Sequence, residues 1–243
     1  MIDILSLNKE QIIQLQPESI TWLLTTREVI HIAKTLDAFW QYDYEAANQG
    51  RVGMHASLKS KRHSDGFFVS RIMLQHPNVQ KIMAYQMAMH LKPLISFPVW
   101  VAGIPDGATR LGEDLAEILG SKVAKMEKVD GKIRIVSQIG PDEKVLLCED
   151  FCTRGTGFRE AVLDIVSKQP DVDFIFIEPV IINRGGLKCV EIPGVGYFYI
   201  LAIAENRVSD WNKDDCPLCQ MGSKPIKPKA KDENWKLITN SQK

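Results

Sequence analysis

The residues whose types and spacing could do chemistry are concentrated in KVLLCEDFCTRGTGFRE, residues 144–160. Four apolar residues lead into Glu149 and Asp150, and a loop with Thr153, Gly155, Thr156 and Gly157 then opens an amphipathic segment. Read as strand, turn and helix start, this places two carboxylates at a strand end and unpaired N–H groups in the turn. In an open parallel sheet, ligands sit beyond the carboxyl ends of the strands. Loop amides and the following helix N-terminus cradle anions there. Glycine at 155 and 157 permits close backbone approach, and Thr153 and Thr156 add hydroxyl donors. The acid pair repels a bare phosphate, so its natural partners are hydroxyls or a cation. A ligand carrying a sugar diol beside a phosphate satisfies both halves.

The surrounding chain supplies elements that could hold such a loop. VQKIMAYQMAMHL reads as a helix with Val79, Ile82, Met83, Met87 and Leu91 on its apolar side, and FPVWVAGI as a strand. EDLAEILG reads as a helix ended by Gly120, KVAKMEK as a second short strand, and VDG as a turn. FREAVLDIVSKQ is a further helix and DFIFIEPVII a fourth strand, while GYFYILAIA is an apolar run of undefined type. Apolar runs alternating with amphipathic helices indicate β-α-β units around a mainly parallel sheet. Residues 1–50 read as helical, including Trp40, and Phe67–Val69 as a strand after a mixed basic loop. Residues 206–243, with KPIKPK, read as a loosely packed tail. The expected division is 1–75, 76–205 and 206–243.

The order apolar run, Glu-Asp, T-x-G-T-G, helix resembles the phosphoribosyl-pyrophosphate (PRPP) motif of the type I phosphoribosyltransferases. What the resemblance implies is an α/β core with a mainly parallel sheet flanked by helices, plus a small hood subdomain. It implies that Glu149 and Asp150 hold the ribose hydroxyls. The PRPP site would continue through Phe151, Cys152, Thr153, Arg154, Gly155, Thr156 and Gly157, the last five wrapping the 5′-phosphate. Phe151 and Cys152 replace the family's aliphatic pair, and Arg154 is bulkier than its usual counterpart. SLKSKRHSDGFF, INRGG and DWNKDDCPLCQMGSKPIKPK are similar to segments of the orotate phosphoribosyltransferase branch, with Lys61 where glycine is usual.

Membership of that branch implies transfer of phosphoribose from PRPP to orotate, with Mg2+ as the partner of PRPP and a homodimer as the working unit. Arg184 is the implied binder of the orotate carboxylate, and Lys59, Phe67, Phe68 and Thr153 are the other implied orotate contacts. Asp106, Gly107, Ala108, Thr109 and Arg110 occupy the place of the pyrophosphate loop. The family's basic catalytic cluster falls on AKMEKVDGKIRIVSQIG, where Lys125, Lys128, Lys132 and Arg134 supply charge but no histidine is present. Lys128 and Lys132, with Asp150, are the implied catalytic groups. Transfer to another base, and a non-catalytic PRPP- or nucleotide-binding regulator, stand as alternatives.

Composition narrows the classes. Among 243 residues, 30 basic side chains balance 30 acidic ones, which removes any global electrostatic case for a nucleic acid or membrane-surface partner. No run approaches the roughly 18–20 apolar residues that a bilayer span needs. MIDILSLNKEQIIQLQ lacks a basic segment followed by an apolar block, so a soluble cytoplasmic protein is expected. Five cysteines argue against a disulfide framework. Cys216-Pro217-Leu218-Cys219 offers two of four tetrahedral zinc ligands. The other cysteines are scattered and no histidine is near in sequence, so two unligated thiols are expected and no metal ligands are assigned. His63 reads as a loop hydrogen-bonder, and Tyr197, Phe198 and Tyr199 as core or dimer interface.

Overall fold

The computed structural model describes residues 2–58, 60–96, 99–141, 143–229 and 231–243. The chain forms two units, one of Met1–Thr35 with Ser70–Arg207 and one of Leu36–Val69 with Val208–Lys243. It begins in the larger unit with α1 (Lys9–Gln14) and α2 (Thr26–Thr35). The smaller unit then takes β1 (Phe39–Gln41), α3 (Tyr44–Asn48), β2 (Met54–Ser57), β3 (His63–Ser64) and β4 (Gly66–Phe68). Back in the larger unit come α4 (Ser70–Leu74), α5 (Pro77–Leu91), β5 (Trp100–Gly103), α6 (Thr109–Leu119), β6 (Lys122–Val123), β7 (Met126–Val129) and β8 (Lys132–Ile135). There follow β9 (Lys144–Cys152), α7 (Thr156–Lys168), β10 (Asp173–Phe174), β11 (Ile177–Asn183), β12 (Cys189–Ile192) and β13 (Gly196–Glu205). The smaller unit is completed by β14 (Asp210–Trp211), α8 (Pro217–Gln220), β15 (Lys224–Ile226) and α9 (Asp232–Asn240).

The larger unit is built on a sheet ordered β12-β13-β11-β9-β5-β6, with β10 also pairing with β9. All its pairings are parallel except β12 with β13. A parallel sheet is covered on both faces, so its central strands are apolar throughout; Val145, Leu146, Leu147 and Cys148 of β9 are all fully buried. Helix α7 buries Phe158, Ala161, Val162 and Ile165 in the cluster that contains Val145, Leu147 and Phe198. Phe158 meets Phe198 edge to face at 5.0 Å. Helix α6 lies so close to β5 that a Cβ on Gly112 would sit 2.4 Å from the Gly103 nitrogen. The N-terminal segment is pinned to α5 by the buried Gln86, which accepts from Leu24 N (2.7 Å) and donates to Trp22 O (2.9 Å).

KVAKMEK is two strands rather than one: β6 joins the sheet, whereas β7 pairs only with β8. Asp130 and Gly131 both have positive φ (51° and 76°), the geometry that a two-residue hairpin requires. The outer edge of β8 is held by helix carboxylates, Ile133 N donating to Glu160 (2.9 Å) and Ile135 N to Asp164 (2.7 Å). Asp164 also receives Arg134 (2.6 Å) and Lys168 (2.9 Å). Arg134, expected to supply charge to a catalytic loop, is therefore engaged in anchoring the hairpin.

Three other expectations are corrected. Residues 1–50 are helical only in α1, α2, α3 and short 3-10 turns; Trp40 belongs to β1, which pairs antiparallel with β4. GYFYILAIA, left undefined by its sequence and so not among the three, is the strand β13. Residues 208–243 are packed rather than loose, because β14 pairs with β3 and β15 with β2. Cys216, Leu218 and Ile238 are fully buried in a cluster with Trp40, Tyr42, Ala47 and Ala56. A few well-spaced apolar residues suffice, so average polarity misjudges this segment. The division thus runs through Thr35, Val69 and Arg207 instead of 75 and 205. No described helix is long and apolar enough to cross a membrane.

Candidate active site

Strand β9 carries Glu149 and Asp150 toward its carboxyl end, both half-buried. The chain leaves the sheet through Thr153 and Arg154 and enters α7 at Gly155, whose φ of +61° is left-handed. A Cβ on Gly155 would also lie 2.3 Å from Val190, so both backbone conformation and space demand glycine. Arg154 and Thr156 are exposed at the head of the helix, where the first amides of α7 have no intrahelical acceptors. The buried Thr153 hydroxyl has no hydrogen-bond partner among the described residues. These groups lie at the position where the sequence predicts an anion cradle.

Sheet order brings two more loops to the same edge. From β5 the chain moves outward to β6 and then returns to β9 on the other side of β5, so the order reverses between β5 and β9. Such a switch point is where open α/β sheets bind ligands. The loop after β5 contains Asp106–Ala108 and a cis Pro105–Asp106 peptide, and it packs on the acid pair: a Cβ on Gly107 would fall 2.1 Å from Asp150 Oδ2. Asp106 and Arg110 are exposed, Thr109 opens α6, and Ala108 is buried with its side chain away from solvent. The hairpin reaches this loop in the same chain, Lys128 Nζ standing 3.7 Å from Asp106 Oδ2. Lys132 is exposed at the start of β8.

On the other side of β9, the buried Asn183 shapes the turn after β11. Its Oδ1 accepts from Gly186 N (3.0 Å), and its Nδ2 donates to Leu187 O (2.8 Å). Arg184 N donates to Cys152 O (2.7 Å), and a Cβ on Gly185 would meet Thr153 O at 1.8 Å, so this turn is pressed against the anion cradle. The guanidinium of Arg184 lies over the Phe151 ring, 5.7 Å from its centroid. Burial pushes its pKa down, opposed by Asp150, Cys152 and Glu149; guanidinium nevertheless stays charged at neutral pH.

Sequence reading missed Glu178, which is fully buried in β11. Its signal was present: one acid inside the apolar run DFIFIEPVII. Ligand atoms of Glu149, Cys152 and Glu178 lie within 4.8 Å of one another. Burial, followed by the Glu178 charge, raises Glu149 well above the ordinary carboxylate range, and burial raises Glu178 to about 7. Two carboxylates this close cannot both ionise cheaply. Cys152, expected to line the PRPP site, is fully buried among these acids and contributes its carbonyl to the Arg184 turn instead.

A pH signature follows. With folded pKa raised above unfolded, the penalty is absent below about 4.5 and grows as pH rises through about 7. Glu178→Gln should therefore stabilise the protein at pH 8 by on the order of 2 kcal/mol and barely change it at pH 4.5. Thermal melts of both proteins across that range measure it; equal shifts at both ends contradict the assignment.

Of the remaining expected contacts, Phe67 and Phe68 belong to the smaller unit. Phe68 is 2% exposed and stacks on Phe39 at 3.9 Å, so its ring serves the core; Phe67 is half-buried. Lys59 lies outside the described residues. Its neighbour Lys61 has φ +62°, which explains why glycine is usual at that position.

No family model matches the chain. It is 30% identical over 176 residues to the orotate phosphoribosyltransferase of Caldicellulosiruptor saccharolyticus, covering 72% of this chain and 87% of that protein. Identity to the orotate phosphoribosyltransferase of Nitratiruptor sp. is 28% over 184 residues, covering 72% and 90%. Among solved structures, orotate phosphoribosyltransferase from Aeropyrum pernix matches with a TM-score of 0.54 at 14% identity, over 73% of this chain and 93% of that one. The structural likeness speaks for the fold, and the sequence likeness covers nearly the whole relative. A type I phosphoribosyltransferase fold and that relationship lead to one placement: the chain belongs to the orotate phosphoribosyltransferase family.

Proposed function

We propose that the chain transfers the phosphoribosyl group of PRPP to N1 of orotate, giving orotidine 5′-monophosphate and pyrophosphate. The observation that carries this reading is the meeting of three loops at one sheet edge. Gly107 sits against Asp150 and Gly185 against Thr153, leaving no room for side chains at either contact. In the reaction, N1 of orotate bonds to C1 of the ribose as the bond from C1 to the pyrophosphate oxygen breaks, and the N1 proton is released. The transition state has oxocarbenium character, so catalysis depends on placing the base and on neutralising the departing charge.

Glu149 and Asp150 take the ribose hydroxyls, Thr153 to Gly157 the 5′-phosphate, and Arg184 the orotate carboxylate through a charge-assisted pair. Lys128, Lys132 and Arg110 are the cations available to pyrophosphate. Asp106, which precedes Gly107 in the chain, and Asp150, against which Gly107 packs, are hard oxygen donors of the kind that Mg2+ takes. When bound, Mg2+ supplies charge neutralisation for the pyrophosphate. Two copies of the chain form the working unit in this proposal, supported by the large exposed side chains of Tyr197 and Tyr199 on β13 (53% and 63%).

The test is loss of orotate absorbance with PRPP and Mg2+, run beside a panel of other bases. Consumption of orotate alone is the expected result. Turnover of a different base would move the protein within its class. No turnover at all, with PRPP binding retained, would favour the regulator.

A further inference from the structure

Outside the active site, the smaller unit buries four groups that soft metals bind. His55 is on β2, His63 on β3, Cys216 immediately before α8 and Cys219 within it. His55 and Cys216 are fully buried, His63 is 4% exposed and Cys219 is half-buried. One ligand atom from each lies within 4.8 Å of all the others. The cysteines are not disulfide-bonded. Two histidines that the sequence places about 160 residues from the CPLC segment are delivered to it by the sheet β14-β3-β2-β15. The expectation that no histidine lies near Cys216 and Cys219 is thereby corrected, and His63, read as a loop hydrogen-bonder, stands on strand β3 within hydrogen-bond distance of His55 and Cys219.

We propose that His55 Nε2, His63 Nδ1, Cys216 Sγ and Cys219 Sγ bind one zinc ion, in a closed structural site that holds the smaller unit together.

Four of the six ligand-to-ligand spacings are close to the edges of a zinc tetrahedron, and the other two are within 4.8 Å. With zinc bonds of about 2.0–2.1 Å to nitrogen and about 2.3 Å to sulfur, the edges should be about 3.3 Å between nitrogens and about 3.6 Å from nitrogen to sulfur. The observed separations are 3.0 Å from His55 Nε2 to His63 Nδ1 and 3.3 Å from His63 Nδ1 to Cys219 Sγ. His55 Nε2 is 3.7 Å from Cys216 Sγ and 3.5 Å from Cys219 Sγ.

The hydrogen bonding behind His55 sets its tautomer. Ser223 Oγ donates to Gly53 O at 3.2 Å, so its lone pair is left to accept from His55 Nδ1–H at 2.9 Å. Nε2 therefore presents a lone pair, and three potential ligands converge on it, more than one lone pair can serve by hydrogen bonding. Such an outer partner for a ligating imidazole is a regular part of zinc sites. A donor set of two imidazoles and two thiols suits zinc. With four protein donors no position is left for substrate, which makes the site structural. A unit this small has limited apolar core, and a metal staple is one of the few available remedies. Binding requires both thiols to give up their protons, two released per ion if both start protonated.

The purified full-length chain, expressed with zinc available, should contain one zinc per chain by elemental analysis. Chelation should raise the number of thiols accessible to a thiol reagent by two and lower the melting temperature. Cobalt added to the chelated protein should give the intense visible bands of tetrahedral thiolate-bound Co2+. The paired variant Cys216→Ser, Cys219→Ser should abolish those bands. If it fails to fold, His63→Cys, which keeps four donors, should still bind zinc. A protein that holds no zinc and takes up no cobalt overturns the proposal and leaves a hydrogen-bonded core. Cobalt bands of octahedral rather than tetrahedral type overturn it equally.

Discussion

Replacing Glu149 by Gln and Asp150 by Asn together is expected to weaken PRPP binding by about 10–10²-fold, from the loss of the charge-assisted bond of Asp150 at roughly 1.5–3 kcal/mol. Stability should move the other way. Glu149 is crowded by Glu178 and lifted far above its ordinary pKa, so a neutral isostere relieves the folded state. At 150 the amide retains an oxygen for the Phe151 N–H that Asp150 Oδ1 now accepts at 2.7 Å. Calorimetric titration with PRPP, beside thermal melts at pH 7.5, reads both effects. Weaker binding in a protein that melts no lower identifies a functional cost accepted at the site. Unchanged PRPP affinity would remove the ribose assignment of both acids. A lower melting temperature would recast the pair as a structural element.

What could be read in the sequence was what depends on neighbours in the chain. The strand, turn and helix start around 153–157 were legible because a left-handed glycine, a helix start and the end of an apolar run are local features. The same holds for Gly120, which ends α6 at φ +62°. Glu178 escaped because its significance comes from Glu149 on the adjacent strand, through the pairing of β11 with β9. The packing of Phe68 was hidden for a similar reason: the ring it stacks on, Phe39, is placed only by the pairing of β1 with β4. Trp40 fits a helical period and a strand alike, since short apolar patterns do not distinguish the two. His55 and His63 escaped most completely, because the parallel pairing of β2 with β15 is what brings the far end of the chain to them.

The tightest contact at the active site gives the sharpest structural test. Gly185→Ala would place a methyl carbon 1.8 Å from the Thr153 carbonyl oxygen and 2.7 Å from its carbon, where the obstacle is backbone and cannot rotate away. Either the 183–186 turn or the 153–157 cradle must shift by an ångström or more, and each carries a proposed substrate-binding group. Overpacking of this kind costs about 1–3 kcal/mol in stability, while a 1 Å misplacement of a binding group can cost about 10²-fold in rate. Gly194→Ala separates the two effects, because that glycine has φ +80° but nothing within 4 Å of its would-be Cβ. There the left-handed backbone alone should cost about 1–2 kcal/mol and leave kcat/KM untouched. If both variants lose stability but only Gly185→Ala loses kcat/KM, by about 10²-fold, the register between cradle and Arg184 turn is what catalysis uses. Full activity in Gly185→Ala would mean that the two loops do not work as one surface, and Arg184 would lose its claim on the substrate.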